Sequence, residues 1–260
     1  MTPPELRRAA RNGKFSRSTS GLCQEHVHAN LIAVPQIHAG AFRRFCERNP
    51  KACPLVEEVR AGEREPRCAP GADLSTDLPR YRIFREGALT EEPTDVSSLW
   101  RDDLVSFLLG CSFNFERALA DAGVPIRHQE ENRVVPMFVT NHECRPAGVF
   151  SGPLVVSMRP VQTSRVADVR ALTARFSGSH GEPVAVGEPE SLGIVDLSRP
   201  DYGDPVTIRS DEVPVFWACG VTPQALVGRA RMDLCVTHAP GHMFVTDLRT
   251  EIEEARALGS

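Results

Sequence analysis

Apolar residues fall into two kinds of run along the chain. Through the first half they recur at helical spacing. Pro3 to Asn12 reads as a short helix, and in Pro35 to Arg48 the residues Ile37, Ala41 and Phe45 form one stripe with Phe42 and Cys46 beside it. From Asp102 the residues Leu104, Phe107, Leu108 and Cys111 repeat that spacing. Glu116 to Ala122 then forms a second helical stretch that stops at Gly123, with Gly110 marking a break between the two. Beyond Gly123 the runs shorten and read as strands: Val134 to Thr140, Leu154 to Met158, Val184 to Val186, Val206 to Ile208, Val213 to Cys219, Leu234 to Thr237 and Met243 to Thr246. One helix, Gln162 to Phe176, falls among them with Val166, Val169, Leu172 and Phe176 facing inward. Strands interleaved with helices predict the α/β class, and near-continuous apolar strands predict a sheet covered on both faces.

Composition narrows the function. The 21 prolines and 19 glycines keep elements short and loops numerous, the pattern of a protein whose site is built on loops. With 260 residues the chain can bury a core without a disulfide or metal. Its eight cysteines show no Cys-x-x-Cys spacing and are expected as free thiols in a reducing compartment. A formal charge of −4 supplies no field for a phosphate backbone, so no nucleic-acid partner is expected. The polar start Met1 to Arg8 and the lack of any run near the ~20 apolar residues that span a bilayer predict a cytoplasmic protein without a membrane partner.

Four polar loops could carry chemistry. In the first, Leu109 to Glu116, Cys111 and Ser112 precede a predicted helix, whose amino terminus lowers a thiol's pKa and offers N–H groups to an anion; filler and helix-cap roles compete with that reading. In the second, Asn141 to Gly148, Asn141 and Arg145 could touch substrate. The strand after it ends at Arg159, whose forked guanidinium suits a carboxylate or a structural acid equally. In the third, Val215 to Gln224, a strand runs into Gly220 and Thr222-Pro223, a turn and helix start able to present N–H groups. The fourth, Val236 to Asp247, holds His238 and His242 around Pro-Gly. A histidine here could serve as general base with Asp247 orienting it, and the spacing is too loose to argue for a metal.

At these loops the blocks GCSFNFE, CRPAG-x-FSGPLVVSMRP, PVFWACGVTPQ and THAPGHMFVTD resemble the D-glutamate cyclase family, whose bacterial members carry a hydro-lyase designation. The resemblance extends to Gly21-Leu22, Asn30-Leu31, Asn49-Pro50-Lys51, the stretches from Ala69 to Asp73 and Thr76 to Arg82, Leu99 to Asp103, and His180-Gly181. Asn114 departs from it where Ser or Thr is expected, and His142-Glu143 where an apolar residue and Pro are.

The resemblance implies a larger layered α/β/α unit, placed at 1–125 plus 205–260, and a smaller inserted α+β unit at 126–204. It also implies a lyase that closes D-glutamate to 5-oxo-D-proline and water. For that reaction His238 or His242 is expected as base, Arg159 as carboxylate clamp, N–H groups near Cys111-Ser112 or Gly220 as oxyanion donors, and Glu116 or Asp247 as acid; Cys111 as a thioester-forming nucleophile is the competing route. No phosphate-cradling loop or dinucleotide fingerprint occurs, so no cofactor is expected. The expected partner is a small amino acid or organic acid, and a homo-oligomer is compatible with the sequence. Two other classes remain open: a metal-dependent hydro-lyase of a hydroxy acid using His238 and His242, and a non-catalytic binding protein for amino or organic acids.

Overall fold

A computed structural model describes residues 1–250. The chain runs α1 (Pro3–Arg11), β1 (His26–Pro35), α2 (Gln36–Arg48), β2 (Leu55–Val59), β3 (Tyr81–Arg85), β4 (Ala88–Glu91) and β5 (Leu104–Gly110). It continues through α3 (Glu116–Asp121), α4 (Arg127–Glu130), β6 (Met137–Glu143), β7 (Pro153–Gln162) and α5 (Val166–Ala174). It ends with β8 (Ala185–Val186), β9 (Glu212–Ala218), α6 (Thr222–Ala230), β10 (Cys235–His238) and β11 (Phe244–Arg249).

Seven strands form one sheet in the order β2-β5-β1-β10-β3-β4, with β11 also on β1, and four form a second in the order β6-β7-β9-β8. Every pairing described in both sheets is antiparallel. Helices and strands are mixed as the sequence predicts.

Alternation along β1 shows how the larger sheet is covered. Ile32 and Val34 face Phe42 and Phe45 of α2 and Leu226 and Val227 of α6. Leu31 and Ala33 face a layer of mostly irregular chain, which includes Leu74, Leu78, Val96 and Trp100. The smaller sheet repeats the scheme: Val215 and Trp217 pack on Leu119 of α3 and Val169 of α5, while Phe216 and Met158 pack on Leu192, at the end of a short 3-10 turn, and Ile194 just after it.

Three expectations change. Leu104 to Gly110 is a strand, with all seven residues buried between β2 and β1. In a run apolar at nearly every position, broken only by the buried Ser106, helical spacing is a subset of the pattern and cannot discriminate. Val206 to Ile208 is irregular chain whose apolar side chains pack on the second sheet. Strand β9, assigned by sequence to the larger unit, pairs along its full length with β7, so the smaller sheet spans residues 137 to 218 and crosses the boundary drawn at 204. Residues 251–260 of that assignment lie outside the described residues. No described helix is long and apolar enough to cross a membrane.

Candidate functional site

One edge of β1 serves two strands in turn. Its far half pairs with β10, at Ile32 with Thr237, and its near half with β11, at Ala29 with Phe244. Between them the chain leaves the sheet as Ala239-Pro240-Gly241-His242-Met243. That excursion is sewn to the segment after α1: the Thr19 N–H donates to the Gly241 carbonyl at 3.0 Å, as does Ser18 Oγ, and the Met243 N–H donates to Thr19 Oγ1 at 3.1 Å. Gly241 has φ +79°, and a Cβ there would stand 2.8 Å from Val134 Cγ1, so both its conformation and its space require glycine.

A polar cleft of about 720 Å³ opens between this seam and α4. Ser18 and Ser20 line it from one segment, His128, Gln129 and Arg133 from another, and Arg80 and His242 complete it. Arg17 also lines it against one carboxylate, Asp204, which already accepts the Val134 N–H at 2.8 Å. Arg133 is engaged by the Pro205 carbonyl and, at 3.7 Å, by Glu131. Arg80 is different. It is half-buried, no ion pair holds it among the described residues, and its Nε is shielded from solvent without a hydrogen-bond partner.

The two cleft histidines have contrasting environments. His242 Nδ1–H donates to the Pro240 carbonyl at 2.9 Å, which leaves Nε2 as the basic nitrogen. Burial, chiefly, and the Arg80 charge hold its imidazole below the usual histidine range, so it is neutral at pH 7. His128 Nε2 lies 3.2 Å from Ser20 Oγ and 3.3 Å from Glu116 Oε1. Its one-turn helix is pinned because Arg127 forms a buried pair with Glu212 at 2.7 Å.

Behind His128 lies a closed polar network. Glu116 accepts from Gln129 Nε2 at 2.7 Å and from Arg159 Nε at 3.1 Å. Arg159 also donates to Ser112 Oγ at 3.0 Å and Ser157 Oγ at 3.2 Å, and its guanidinium lies over Phe115 and Trp217, 5.2 and 5.5 Å from the ring centroids. Burial would raise the Glu116 carboxyl, but His128 and Arg159 outweigh it and hold the group at about 2.

Three of the four loops meet here: Cys111, Cys219 and Met243 share one apolar cluster beside the cleft. The second loop lies elsewhere, with Asn141 and Arg145 exposed. Several expected roles are corrected. Arg159 is committed to Glu116 and two serines and is 1% exposed, so it is a buried strut rather than a carboxylate clamp. Glu116, ionised and sequestered, holds no proton to give a leaving group. Ser112 Oγ is occupied by Arg159. Burial pushes the Cys111 thiol far up, the reverse of what a nucleophile requires. Asp247 pairs with Arg7 at 2.9 Å and orients neither histidine. His238 is sealed, its Nδ1–H on the Leu31 carbonyl, its Nε2 unpartnered and burial holding it at about 4.

Thr222 is fully buried and donates to the Cys219 carbonyl at 2.7 Å, closing its own turn. Gly220 sits against Asn30, where a Cβ would come within 2.0 Å of Nδ2. Asn114, the departure noted from sequence, accepts the His28 N–H at 2.7 Å and donates to Ser179 Oγ at 2.8 Å, which makes it a clamp between segments and not a cleft residue.

His128, Gln129, Ser20 and Arg80 were not singled out by sequence reasoning. Arg80 stood within a quoted block, and its position in Leu-Pro-Arg-Tyr-Arg gave the available signal. His128 lies beside Arg127 and Gln129 in a stretch with no glycine or apolar pattern to draw attention to it. Among the described residues no group of three or more His, Cys, Asp or Glu side chains is placed to hold a metal ion.

A family model described as D-glutamate cyclase matches residues 105–247. A protein of Stutzerimonas stutzeri named "Putative hydro-lyase" is 53% identical over 252 residues, covering 96% of this chain and 95% of its own. Relatives with the same designation from Rubrobacter xylanophilus and Geobacillus kaustophilus are 55% and 51% identical; they cover 94% and 96% of this chain, and 95% and 96% of their own.

Proposed function

Since the chain belongs to the D-glutamate cyclase family, we propose that the polar cleft is the active site of a hydro-lyase that closes D-glutamate to 5-oxo-D-proline with release of water. The observation that carries the reading is Arg80, a half-buried arginine whose shielded Nε lacks a partner on the wall of a cleft that also holds two histidines. A guanidinium whose Nε is shielded from water, with no ion-pair partner among the described residues, suits a carboxylate.

Arg80 binds the α-carboxylate. The neutral His242 takes a proton from the substrate ammonium at Nε2, and the freed amine attacks the side-chain carboxyl carbon, forming the C–N bond. His128, hydrogen-bonded to Glu116 and Ser20, hands a proton to the departing oxygen. Two protons leave nitrogen in the whole reaction and both depart in the water: one reaches the oxygen from His128, the second follows from nitrogen as the C–O bond breaks, and the proton held on His242 replaces the one His128 gave, which resets both histidines. The nucleophile and electrophile belong to one molecule, and folding the substrate into reach supplies much of the rate.

The reading is tested by incubating purified, chelator-treated protein separately with D- and L-glutamate and resolving 5-oxoproline by chiral chromatography. Product from the D isomer alone is expected; product from neither would remove D-glutamate as the substrate.

A further inference from the structure

Two sequence blocks that the cleft does not use meet at a separate cavity. Asn49-Pro50-Lys51, at the end of α2, and Cys144-Arg145, in the turn after β6, are far apart in sequence but line one pocket of about 400 Å³. It shares no lining residue with the cleft. Asn49 joins the blocks, because its Oδ1 accepts the Arg145 N–H at 2.8 Å while its Nδ2 donates to the Arg145 carbonyl at 2.8 Å and to that of Phe45 at 2.9 Å. The turn is anchored again where Ala147 and Phe150 bury themselves among the aromatic residues of α2. At Gly148, φ +59°, a Cβ would come within 2.8 Å of Ala41 Cβ. Both walls are therefore set before any ligand arrives.

We propose that this cavity binds a small amphiphilic organic anion, a carboxylate or phosphate head on a short aliphatic body. The floor is apolar: Ala52, Leu154, Val184 and Ala218 line it. The rim is cationic, with Arg48, Lys51 and Arg145 beside His142. No carboxylate is within ion-pair reach of those three cations among the described residues. Glu143, the rim's own acid, is drawn to Arg229 at 3.3 Å, and Glu182, whose charge reaches Lys51, sits 3.9 Å from Arg170. An apolar floor under unneutralised cations fits a ligand whose tail fills the floor and whose head meets the rim.

The test is calorimetric titration of the full chain with hexanoate, butyl phosphate and inorganic phosphate at low and moderate salt. One-to-one binding of an organic probe is expected, with inorganic phosphate at least about tenfold weaker because the floor goes unused. Preference between the two organic probes identifies the head group. Arg48→Ala with Arg145→Ala should weaken that binding by about tenfold or more and leave the melting temperature unchanged, since neither guanidinium holds a structural partner among the described residues. His128→Ala, in the cleft, should leave it intact. Three results would overturn the proposal: no binding by either organic probe, inorganic phosphate binding as tightly as they do, or loss of binding in His128→Ala, which would put the ligand in the cleft.

Discussion

Replacing Glu116 with Gln keeps the volume and most hydrogen bonds but removes one charge from a sealed network. Two independent routes give the size of the effect. Arg159, 1% exposed, would be left as a buried cation without its counter-charge, and such a loss costs about 3–5 kcal/mol. A carboxyl held at about 2 in the folded chain against an ordinary 4.5 corresponds to about 3 kcal/mol. Because the folded value is depressed, that stability is fully present above about pH 4.5 and is lost as pH falls through 4.5 toward 2. Urea unfolding of wild type and Glu116→Gln at intervals from pH 7 to pH 3 measures both quantities. The variant should be about 3 kcal/mol less stable at pH 7, and the gap should narrow on acidification as the wild type alone loses this contribution. Glu116→Gln combined with Arg159→Met should recover much of the loss, because no buried charge then remains unpaired. A variant as stable as wild type, or a gap constant with pH, would refute the reasoning.

Arg80→Ala should raise KM for D-glutamate by about 30-fold or more with a smaller fall in kcat, because a carboxylate contact is made in both ground and transition states; initial-rate kinetics separate the two. His242→Ala and His128→Ala should each lower kcat by about 10²–10⁴, the usual contribution of a positioned acid or base, while His238→Gln should stay well outside that range. Cys111→Ala should keep activity within about tenfold, and wild-type Cys111 should resist alkylation in the folded state; near-total loss would restore the thioester route. Gly220→Ala should destabilise the fold by about 1–3 kcal/mol in thermal denaturation, because the new methyl displaces an Asn30 amide already bonded to the Gly110 carbonyl at 2.8 Å.

The sequence exposed the parts of this protein whose pattern is set locally. Helix α2 could be read because Phe42, Phe45 and Cys46 recur at helical spacing on a face that is buried, although Ile37, placed on the same stripe, is 86% exposed. Strand β5 could not be distinguished from a helix because burial on both faces erases any period. The His242 loop was legible from Pro-Gly, which marks a turn whatever lies around it. The role of Arg159 was not: read as closing its strand, it lies inside β7, which runs on to Gln162, and an arginine gives the same sequence signal whether it faces solvent or Glu116, 43 residues away. His128 was missed for a related reason: its importance comes from Ser20 and Glu116, and neither spacing is local.

The seam along β1 also governs when the site can exist. Ala29 pairs with Phe244 and Ile32 with Thr237, so strands near opposite ends of the chain must meet before the His242 loop has anything to be sewn to. Closing so long a loop is slow, because its entropy is lost before its contacts form. The smaller sheet, complete by Ala218, can assemble while later residues are still being synthesised, but the cleft cannot. Catalytic competence is thus a late event in folding, and a chain cut short before β11 would retain much of its core while lacking the seam that shapes its chemistry.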